Sequence, residues 1–340
     1  MNPVASPVAV LGAGSWGTAL AVHLARLDTP TRLWARDAGR AKDISDTRNN
    51  ARYLPGIPLS PAVRVTADAE HALDGVALVI VAVPSHFVED VIDAVKGAVP
   101  SGAVLLSATK GLEPRGGRRM SVLLAERLPG HALGVLSGPS FAREVALGQP
   151  TALVVASTDD DLAPRLQRAL AAPTFRLYTN RDVVGVELAA ALKNVIAIAT
   201  GLADGLELGE NARAALITRG LAEIARLGVA LGAQPGTFLG LAGLGDLVLT
   251  CTGSLSRNRA LGREVARGRS LADVEHGTPM IAEGVRTVAS ALRLAEAAGV
   301  AMPICREVGA VLFEAKPVPE ALHSLLSREP RAEEEARRDP

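Results

Sequence analysis

The chain has 340 residues, of which 48% are hydrophobic and 21% charged, a composition typical of a folded protein of about two domains. Lysine plus arginine and aspartate plus glutamate number 36 each, so the formal net charge is zero, which argues against a nucleic-acid or membrane-surface partner. The six histidines and two cysteines show no metal-ligand spacing and no CxxC pair, so we expect no metal site and two reduced thiols.

Short apolar runs alternate with helical stretches from residue 8 to about residue 180. The runs are Val8–Leu11, Thr31–Trp34, Ala77–Val83, Val104–Ser107, Gly134–Ser137 and Ala152–Ala156. They are continuous, as is typical of strands buried on both faces of a mostly parallel sheet. Phe175–Tyr178 is a candidate edge strand, and Thr18–Leu27 has the spacing of a helix. The pattern predicts a Rossmann-like, doubly wound α/β sheet.

Helical patterns replace strand patterns after about residue 182. The predicted helices are Val183–Leu206, Ala212–Leu231, Arg259–Arg267, Val285–Ala298, Cys305–Phe313 and Glu320–Leu325. Glycine and proline separate them, as expected at helix ends. We therefore predict a dinucleotide-binding domain over residues 1–181, an all-helical domain over 182–327, and a charged, disordered tail over 328–340.

One predicted helical segment, residues 183–203, is apolar and long enough to span a membrane. It contains Glu187, Lys193 and Asn194, and charges in the middle of a membrane are costly. A helix buried in an all-α domain accounts for it better. Because the N-terminus also lacks a basic signal-peptide region, we expect a cytoplasmic protein without an integral membrane segment.

A glycine motif follows the first predicted strand. Its residues are Gly12, Ala13, Gly14, Ser15, Trp16 and Gly17, and a helix begins directly after them. In a dinucleotide site, the first glycine permits a tight turn, the second lets the backbone approach the pyrophosphate, and the third allows helix and strand to pack closely. A glycine-rich turn without a ligand is the alternative interpretation, which the strand–turn–helix context disfavours.

The end of the second predicted strand bears on the choice of cofactor. An NAD site usually has an acidic residue there, whereas this chain has Arg36, followed by Asp37. Arginine suits a 2′-phosphate, so NADP(H) is favoured, with NAD(H) left open. Arg36 as a plain surface charge, with Asp37 starting the next turn, is the alternative.

Three predicted strands end in residues suited to close contact with a ligand. These ends are Val83-Pro84-Ser85, Thr109-Lys110-Gly111 and Ser137-Gly138-Pro139-Ser140-Phe141-Ala142. Ligands of doubly wound sheets lie at the carboxyl ends of the strands. Each segment alone resembles an ordinary turn, but three at one edge favour a ligand site.

Two polar groups stand in apolar surroundings in the second half of the chain. Lys193 and Asn194 lie in the middle of a predicted helix, and Asp246 lies in an apolar, glycine-rich stretch. A buried lysine has a lowered pKa suited to proton transfer, although a lysine extending to the surface fits the pattern equally well. A buried aspartate needs a cationic partner, for which Lys193 is the natural candidate.

Ser256, Arg257 and Asn258 immediately precede a predicted helix and offer three hydrogen-bond donors for an anion. A helix cap followed by solvated arginines is the alternative interpretation.

Several segments resemble the bacterial NAD(P)-dependent glycerol-3-phosphate dehydrogenases. They are GAGSWGTALA, VPSH, SATKGLE, SGPSFAREV, KNVIAIATGLADGL, NARAALITRGLAEI, LAGLGDLVLTCTGSLSRNR and AEGVRT, in order between about residues 7 and 326. The resemblance implies reversible reduction of dihydroxyacetone phosphate to sn-glycerol 3-phosphate, which supplies glycerophospholipid synthesis. Alternatives are a related 3-hydroxyacid dehydrogenase and an NADPH sensor without activity. The oligomeric state stays open, and a homodimer is one of the options.

The same resemblance implies roles for individual residues. The cofactor would contact Ser15, Trp16, Arg36, Lys110, Ala142, Arg257, Ile281 and Glu283. The substrate would contact Lys110, Gly138, Ser140, Lys193, Asp246, Ser256, Arg257 and Asn258. Lys193 would be the proton donor and acceptor, held by Asp246, while Lys110 and Asn194 would stabilise the developing alkoxide.

Overall fold

A computed structural model describes residues 6–276 and 282–329, and its first half is built on one eight-stranded sheet. The strands are β1 (Val8–Leu11), β2 (Thr31–Trp34), β3 (Val63–Thr66), β4 (Leu78–Val81), β5 (Val104–Ser107), β6 (Leu133–Ser137), β7 (Thr151–Ala156) and β8 (Phe175–Asn180). Their order is β3-β2-β1-β4-β5-β6-β7-β8. All neighbours are parallel except β6 and β7, which are antiparallel. The predicted doubly wound, mostly parallel sheet is confirmed.

All six predicted strands are present, and the candidate edge strand is β8. The strand missing from the sequence interpretation is β3, whose residues Val63, Arg64, Val65 and Thr66 alternate in character. Only Val63 is buried, because β3 lies at the edge of the sheet and one of its faces meets solvent. Continuous apolar runs indicate strands covered on both faces, so a half-exposed edge strand lacks that pattern.

Seven helices accompany the sheet in the described residues. They are α1 (Ser15–Arg26), α2 (Ala38–Thr47), α3 (Ala69–Leu73), α4 (Val88–Val95), α5 (Met120–Arg127), α6 (Ala142–Leu147) and α7 (Leu162–Leu170). Separate apolar clusters cover the two sides of the sheet. Val10 and Ile80 belong to one cluster, and their chain neighbours Leu11 and Val79 belong to the other. This alternation is why the strands are apolar throughout.

The described part of the second half is helical, as predicted. Its helices are α8 (Val183–Gly205), α9 (Gly209–Ala230), α10 (Pro235–Phe238), α11 (Asp246–Thr252), α12 (Arg257–Ala266), α13 (Leu271–His276), α14 (Glu283–Ala297), α15 (Pro303–Phe313) and α16 (Val318–Leu326). A π-helical turn, Leu241–Gly245, precedes α11. The sequence interpretation did not identify this turn or α11, because the glycines mask the helical pattern.

Helix α8 forms the centre of the helical half. It is long and apolar enough to cross a membrane, yet 94% of its most apolar window is buried within the protein. It packs closely against α12 through two glycines. A Cβ on Gly201 would lie 2.1 Å from the carbonyl oxygen of Arg259, and one on Gly262 would lie 2.2 Å from that of Ile198. This close packing brings the start of α12 next to the middle of α8.

The sheet and the helical half meet between β8 and α8. Strand β8 ends at Asn180, and Asp182 caps α8 by accepting a hydrogen bond from the backbone of Gly185 at 2.8 Å. Apolar residues of β6 and β7 pack directly against Val183 and Val186 at the start of α8. Residues 330–340, which make up most of the predicted charged tail, lie outside the described residues.

Candidate active site

The glycine motif has the backbone geometry that a dinucleotide requires. Gly12 has a φ of +114°, in the region that side chains disfavour. A Cβ on Gly17 would lie 1.9 Å from the carbonyl oxygen of Gly12, so any side chain there would push α1 away from β1. A Cβ on Gly14 would meet no atom of the described residues within 4 Å. The space above Gly14 is therefore open to a ligand, and the motif fits a pyrophosphate.

Helix α1 presents its N-terminus to this open space. The helix begins at Ser15, and no side chain caps it. Uncapped N–H groups and the positive end of the helix dipole favour an anion at this position. Trp16 has a buried indole nitrogen that finds no hydrogen-bond partner among the described residues, and the Lys110 ammonium lies 6.0 Å from the centre of its ring.

The end of β2 carries a basic side chain, while its acidic neighbour is engaged elsewhere. The Asp37 carboxylate accepts a hydrogen bond from the Arg40 backbone at 2.7 Å and caps α2. The guanidinium of Arg36 lies over the ring of Phe87, 5.0 Å from its centre. An arginine rather than an acid is therefore held at the position where Rossmann-like sites recognise the ribose.

The three ligand-contacting segments predicted from sequence lie together. Strands β4, β5 and β6 are parallel neighbours, so their carboxyl ends share one edge of the sheet. Lys110, from the segment after β5, donates to the carbonyl oxygen of Gly138 at 2.7 Å and to the Ser140 hydroxyl at 3.1 Å. Ala142 begins α6 directly after this segment.

Lys193 and Lys110 converge on one carboxylate. The Lys193 ammonium lies 2.6 Å from Oδ1 of Asp246, and the Lys110 ammonium lies 2.9 Å from Oδ2. Lys193 also donates to the hydroxyl of Thr250 at 2.8 Å, and that hydroxyl donates to the backbone carbonyl of Asp246 at 2.6 Å. The side chains of Lys193 and Asp246 are only 7% and 1% exposed. The partner expected for a buried Asp246 is present.

Burial sets the protonation behaviour of Lys193. Its removal from water lowers the pKa of the ammonium to about 8, and the neighbouring Lys110 charge acts in the same direction. Asp246 opposes both effects by favouring the charged form. A lysine with a pKa close to neutral can both donate and accept a proton at physiological pH.

The π-helical turn positions Asp246. The backbone N–H of Gly245 bonds to the carbonyl oxygen of Gly240, a five-residue separation, and Asp246 begins α11 directly afterwards. A Cβ on Gly243 would lie 2.1 Å from the backbone oxygen of Phe238. The wide turn thus depends on a glycine, and such turns are frequent at functional sites.

The segment before α12 has divided roles. Ser256 caps α12, its hydroxyl accepting a hydrogen bond from the Arg259 backbone at 3.3 Å, as in the helix-cap interpretation. Arg257 extends toward the sheet and donates to the Ser15 hydroxyl at 3.0 Å. Asn258 donates to the side-chain oxygen of Asn194 at 2.9 Å. The segment thus links the glycine motif with α8.

Glu283, at the start of α14, also connects the two halves of the chain. Its carboxylate accepts hydrogen bonds from the backbone and the hydroxyl of Ser85, at 3.3 and 2.9 Å. Burial raises the pKa of Glu283, while the Ser85 bonds and the charges of Arg286 and Arg257 oppose that rise. Ile281, the other cofactor contact predicted in this segment, lies outside the described residues.

Sequence reasoning missed three side chains of this site. Thr250 was detectable, because a residue four positions after Asp246 shares its helix face. Phe87 and Asn50 had no detectable signal, since their contacts with Arg36 and the glycine motif join distant segments.

The fold and the site together define a class of protein. A glycine loop open to a pyrophosphate lies near a buried lysine–aspartate pair at the carboxyl edge of a doubly wound sheet. This arrangement is that of a nicotinamide-dinucleotide-dependent oxidoreductase. Two family models match the chain: the N-terminus of NAD-dependent glycerol-3-phosphate dehydrogenase over residues 7–163, and its C-terminus over residues 182–323. The chain belongs to the NAD-dependent glycerol-3-phosphate dehydrogenase family.

Relatives and solved structures agree with this assignment. The glycerol-3-phosphate dehydrogenase (NAD(P)+) of Geobacter sulfurreducens is 50% identical over 329 residues, covering 96% of this chain and 98% of its own. The Moorella thermoacetica enzyme of the same name is 49% identical, covering 96% and 97%. The crystal structure of glycerol-3-phosphate dehydrogenase from Coxiella burnetii superimposes with a TM-score of 0.92 at 40% identity, covering 95% of this chain and 99% of that one.

Proposed function

We propose that this protein reversibly reduces dihydroxyacetone phosphate to sn-glycerol 3-phosphate with NAD(P)H, using Lys193 as the proton donor. The observation that carries the proposal is the buried group of Lys193, Asp246 and Lys110 at the carboxyl edge of the sheet. Reduction of a carbonyl needs a proton source beside the carbonyl oxygen, and positive charge to stabilise the negative charge that develops on that oxygen. The buried group provides both.

The dinucleotide is assigned to the edge of the sheet beside α1. Gly12, Gly14 and Gly17 shape the loop, and the backbone of Ser15 and Trp16 receives the pyrophosphate. Arg36 receives a 2′-phosphate, which favours NADP(H) while allowing NAD(H). The remaining assigned contacts are Lys110, Ala142, Arg257, Ile281 and Glu283. A bound nicotinamide supplies the hydride at its C4 position.

The residues of the buried group divide the chemical work. Lys193 gives a proton to the oxygen of the substrate carbonyl as hydride adds to the carbon, and takes it back in the oxidation direction. Asp246 holds Lys193 in position and stabilises its charged form. Lys110 stabilises negative charge on the same oxygen, and Asn194 is proposed to share this role. Gly138, Ser140 and Asp246 accept hydrogen bonds from Lys110 and hold its ammonium in place.

The substrate phosphate is assigned to the start of α12. Ser256, Arg257 and Asn258 place a hydroxyl, a guanidinium and an amide at a helix N-terminus. Because Arg257 already reaches Ser15 in the glycine motif, it connects the cofactor site with the substrate phosphate. Gly138 and Ser140 complete the substrate contacts from the sheet side.

The proposal also covers the use of the product and the division of the chain into domains. The product supplies glycerophospholipid synthesis in the cytoplasm. The sheet and the helices act as separate domains divided between residues 181 and 182, with the cleft between them as the site. The charged tail predicted over residues 328–340 lies outside the described residues from residue 330 onward.

A homodimer is proposed on the basis of an apolar groove that no described part of the chain covers. The groove has a volume of 1780 Å³ and lies between α9, α15 and α16. Its lining includes Val229 and Leu326, which are 43% and 75% exposed. Apolar surface of this kind commonly marks a protein interface. Val229→Asp should convert a dimer into a monomer in sedimentation experiments, and a wild-type monomer at every concentration would exclude the dimer.

One spectrophotometric comparison tests the proposed activity. Loss of NADPH absorbance should be rapid with dihydroxyacetone phosphate and slow with unphosphorylated dihydroxyacetone, pyruvate and acetoacetyl substrates. A hydroxyacid dehydrogenase would reverse that order. An NADPH sensor would bind the cofactor without consuming it in the presence of any of these substrates.

A further inference from the structure

A buried asparagine lies directly beneath the glycine motif. Asn50 is 1% exposed and belongs to the loop between α2 and β3. Its side-chain nitrogen donates to the carbonyl oxygen of Ala13 at 2.9 Å and to the hydroxyl of Thr18 at 2.8 Å. Ala13 stands inside the motif, and Thr18 lies in the first turn of α1. Asn50 therefore connects both sides of the loop that is assigned to the pyrophosphate.

The orientation of this amide follows from its partners. A backbone carbonyl accepts hydrogen bonds only, so the side-chain atom facing Ala13 must be the nitrogen. The side-chain oxygen then faces the backbone N–H of Tyr53 and accepts from it at 3.3 Å. Both amide protons and the oxygen are thus engaged in a site closed to water, where an unmatched polar atom is costly.

The same segment holds the motif at a second point. The hydroxyl of Ser15 donates to the backbone carbonyl of Tyr53 at 2.7 Å. Asn50 and Tyr53 are also joined by a backbone hydrogen bond of 3.2 Å, which makes residues 50–53 a compact turn. This turn contacts the glycine motif at Ala13 and at Ser15, on either side of Gly14. The open space of the cofactor site lies above Gly14.

We propose that Asn50 is a positioning residue for the cofactor, acting through the glycine loop. The loop combines a left-handed Gly12 with a Gly14 that has no side chain to restrain it, so its backbone is intrinsically free. Fixing it before the cofactor arrives removes an ordering cost from binding. The inference rests on the cofactor site proposed above. Because the pyrophosphate is common to NADPH and NADH, Asn50 affects both cofactors alike.

Asn50→Asp tests the inference with almost no change in shape. The carboxylate cannot donate to Ala13, and it introduces negative charge beneath an anion site. The Kd of NADPH and of NADH, measured by nucleotide fluorescence, should each rise by roughly tenfold or more. The KM for dihydroxyacetone phosphate at saturating cofactor should stay within about twofold of wild type, because Asn50 acts only through the cofactor loop.

Two further variants control the experiment. Thr18→Val removes one acceptor of Asn50 and keeps the bond to Ala13, so it should raise both Kd values by a smaller factor. If Asn50→Asp does not fold, Thr18→Val alone tests the role of Asn50. Asn49→Ala changes the neighbouring asparagine, whose side chain makes no hydrogen bond to the glycine motif within the described residues. It should leave both Kd values unchanged.

Two results would overturn the inference. One is a folded Asn50→Asp protein, or a Thr18→Val protein, whose cofactor Kd values equal those of the wild type even if its melting temperature has fallen. The other is a change limited to one of the two cofactors. A different result would contradict the proposed function: a wild-type protein that binds NADPH but does not reduce dihydroxyacetone phosphate.

Discussion

The ammonium of Lys193 lies 2.6 Å from Oδ1 of Asp246, and neither side chain is more than 7% exposed. The two residues are 53 positions apart in the sequence and come from different helices, α8 and α11. A buried ion pair of this kind seldom contributes much net stability, because desolvation offsets the attraction. The position of this pair at the carboxyl edge of the sheet instead supports its proposed role in proton transfer.

Replacing Lys193 with methionine should stop the chemistry while preserving the fold. Lys193→Met retains length and apolar bulk in a buried helix, and Asp246 keeps Lys110 as a cationic partner. We expect kcat to fall by about 10²–10⁴, the usual contribution of a positioned proton donor. NADPH binding measured by fluorescence should change little, since the glycine loop lies on the sheet. A folded Lys193→Met protein with near wild-type turnover would exclude Lys193 as the donor.

Asp246 should behave as part of the same unit as Lys193. Asp246→Asn keeps the shape of the side chain and removes the charge that both lysines contact. We expect a large fall in kcat, and a double variant with Lys193→Met that loses less than the product of the two single losses. Strictly multiplicative losses would show that the two residues act independently.

The pKa of about 8 for Lys193 predicts opposite pH profiles for the two directions. Reduction requires the protonated amine, so its kcat/KM should be level below pH 8 and fall as the pH rises further. Oxidation of sn-glycerol 3-phosphate requires the neutral amine and should increase through the same range. Initial rates in both directions between pH 6 and 10 test this. Parallel profiles in the two directions would contradict the assignment of the proton to Lys193.

Arg36 should determine the preference between the two cofactors. Arg36→Asp places an acid where a 2′-phosphate is expected, so the KM for NADPH should rise far more than that for NADH. Phe87→Leu is a useful companion, because it removes the ring beneath the guanidinium without changing charge. It should weaken NADPH selectively but to a smaller extent. Equal responses of the two cofactors to Arg36→Asp would show that Arg36 is not the selector.

Arg257 should be needed for recognition of the substrate phosphate. Arg257→Ala removes a charge-assisted contact worth about 1.5–3 kcal/mol, so the KM for dihydroxyacetone phosphate should rise more than tenfold. The variant should also lose its preference for this substrate over unphosphorylated dihydroxyacetone. Because Arg257 contacts Ser15, cofactor affinity is measured in parallel. An unchanged preference between the two substrates would remove Arg257 from the phosphate site.

Local patterns predicted most of the regular structure. Strands β1, β2 and β5 have the predicted bounds, because runs of apolar residues covered on both faces leave an unambiguous pattern. Helix α8 was equally clear from its length and composition. The edge strand β3 and the π-helical turn before Asp246 were not predicted. Strand β3 depends on its pairing with the distant β2. The turn was missed because its glycines, which pack against the nearby backbone of Phe238, mask the helical pattern.

The sequence by itself determined which residue types were available and where the glycine loop must lie. The requirement for glycine at positions 12 and 17 is local, since it follows from the tight turn and from helix–strand packing. Only the tertiary structure decided that Lys193 is buried rather than extended to the surface, and that Lys110 and Asp246 meet it. It also decided that Arg36 rests on Phe87. A side chain's pKa and partners depend on what surrounds it in three dimensions, and those neighbours are separated by tens of residues along the chain.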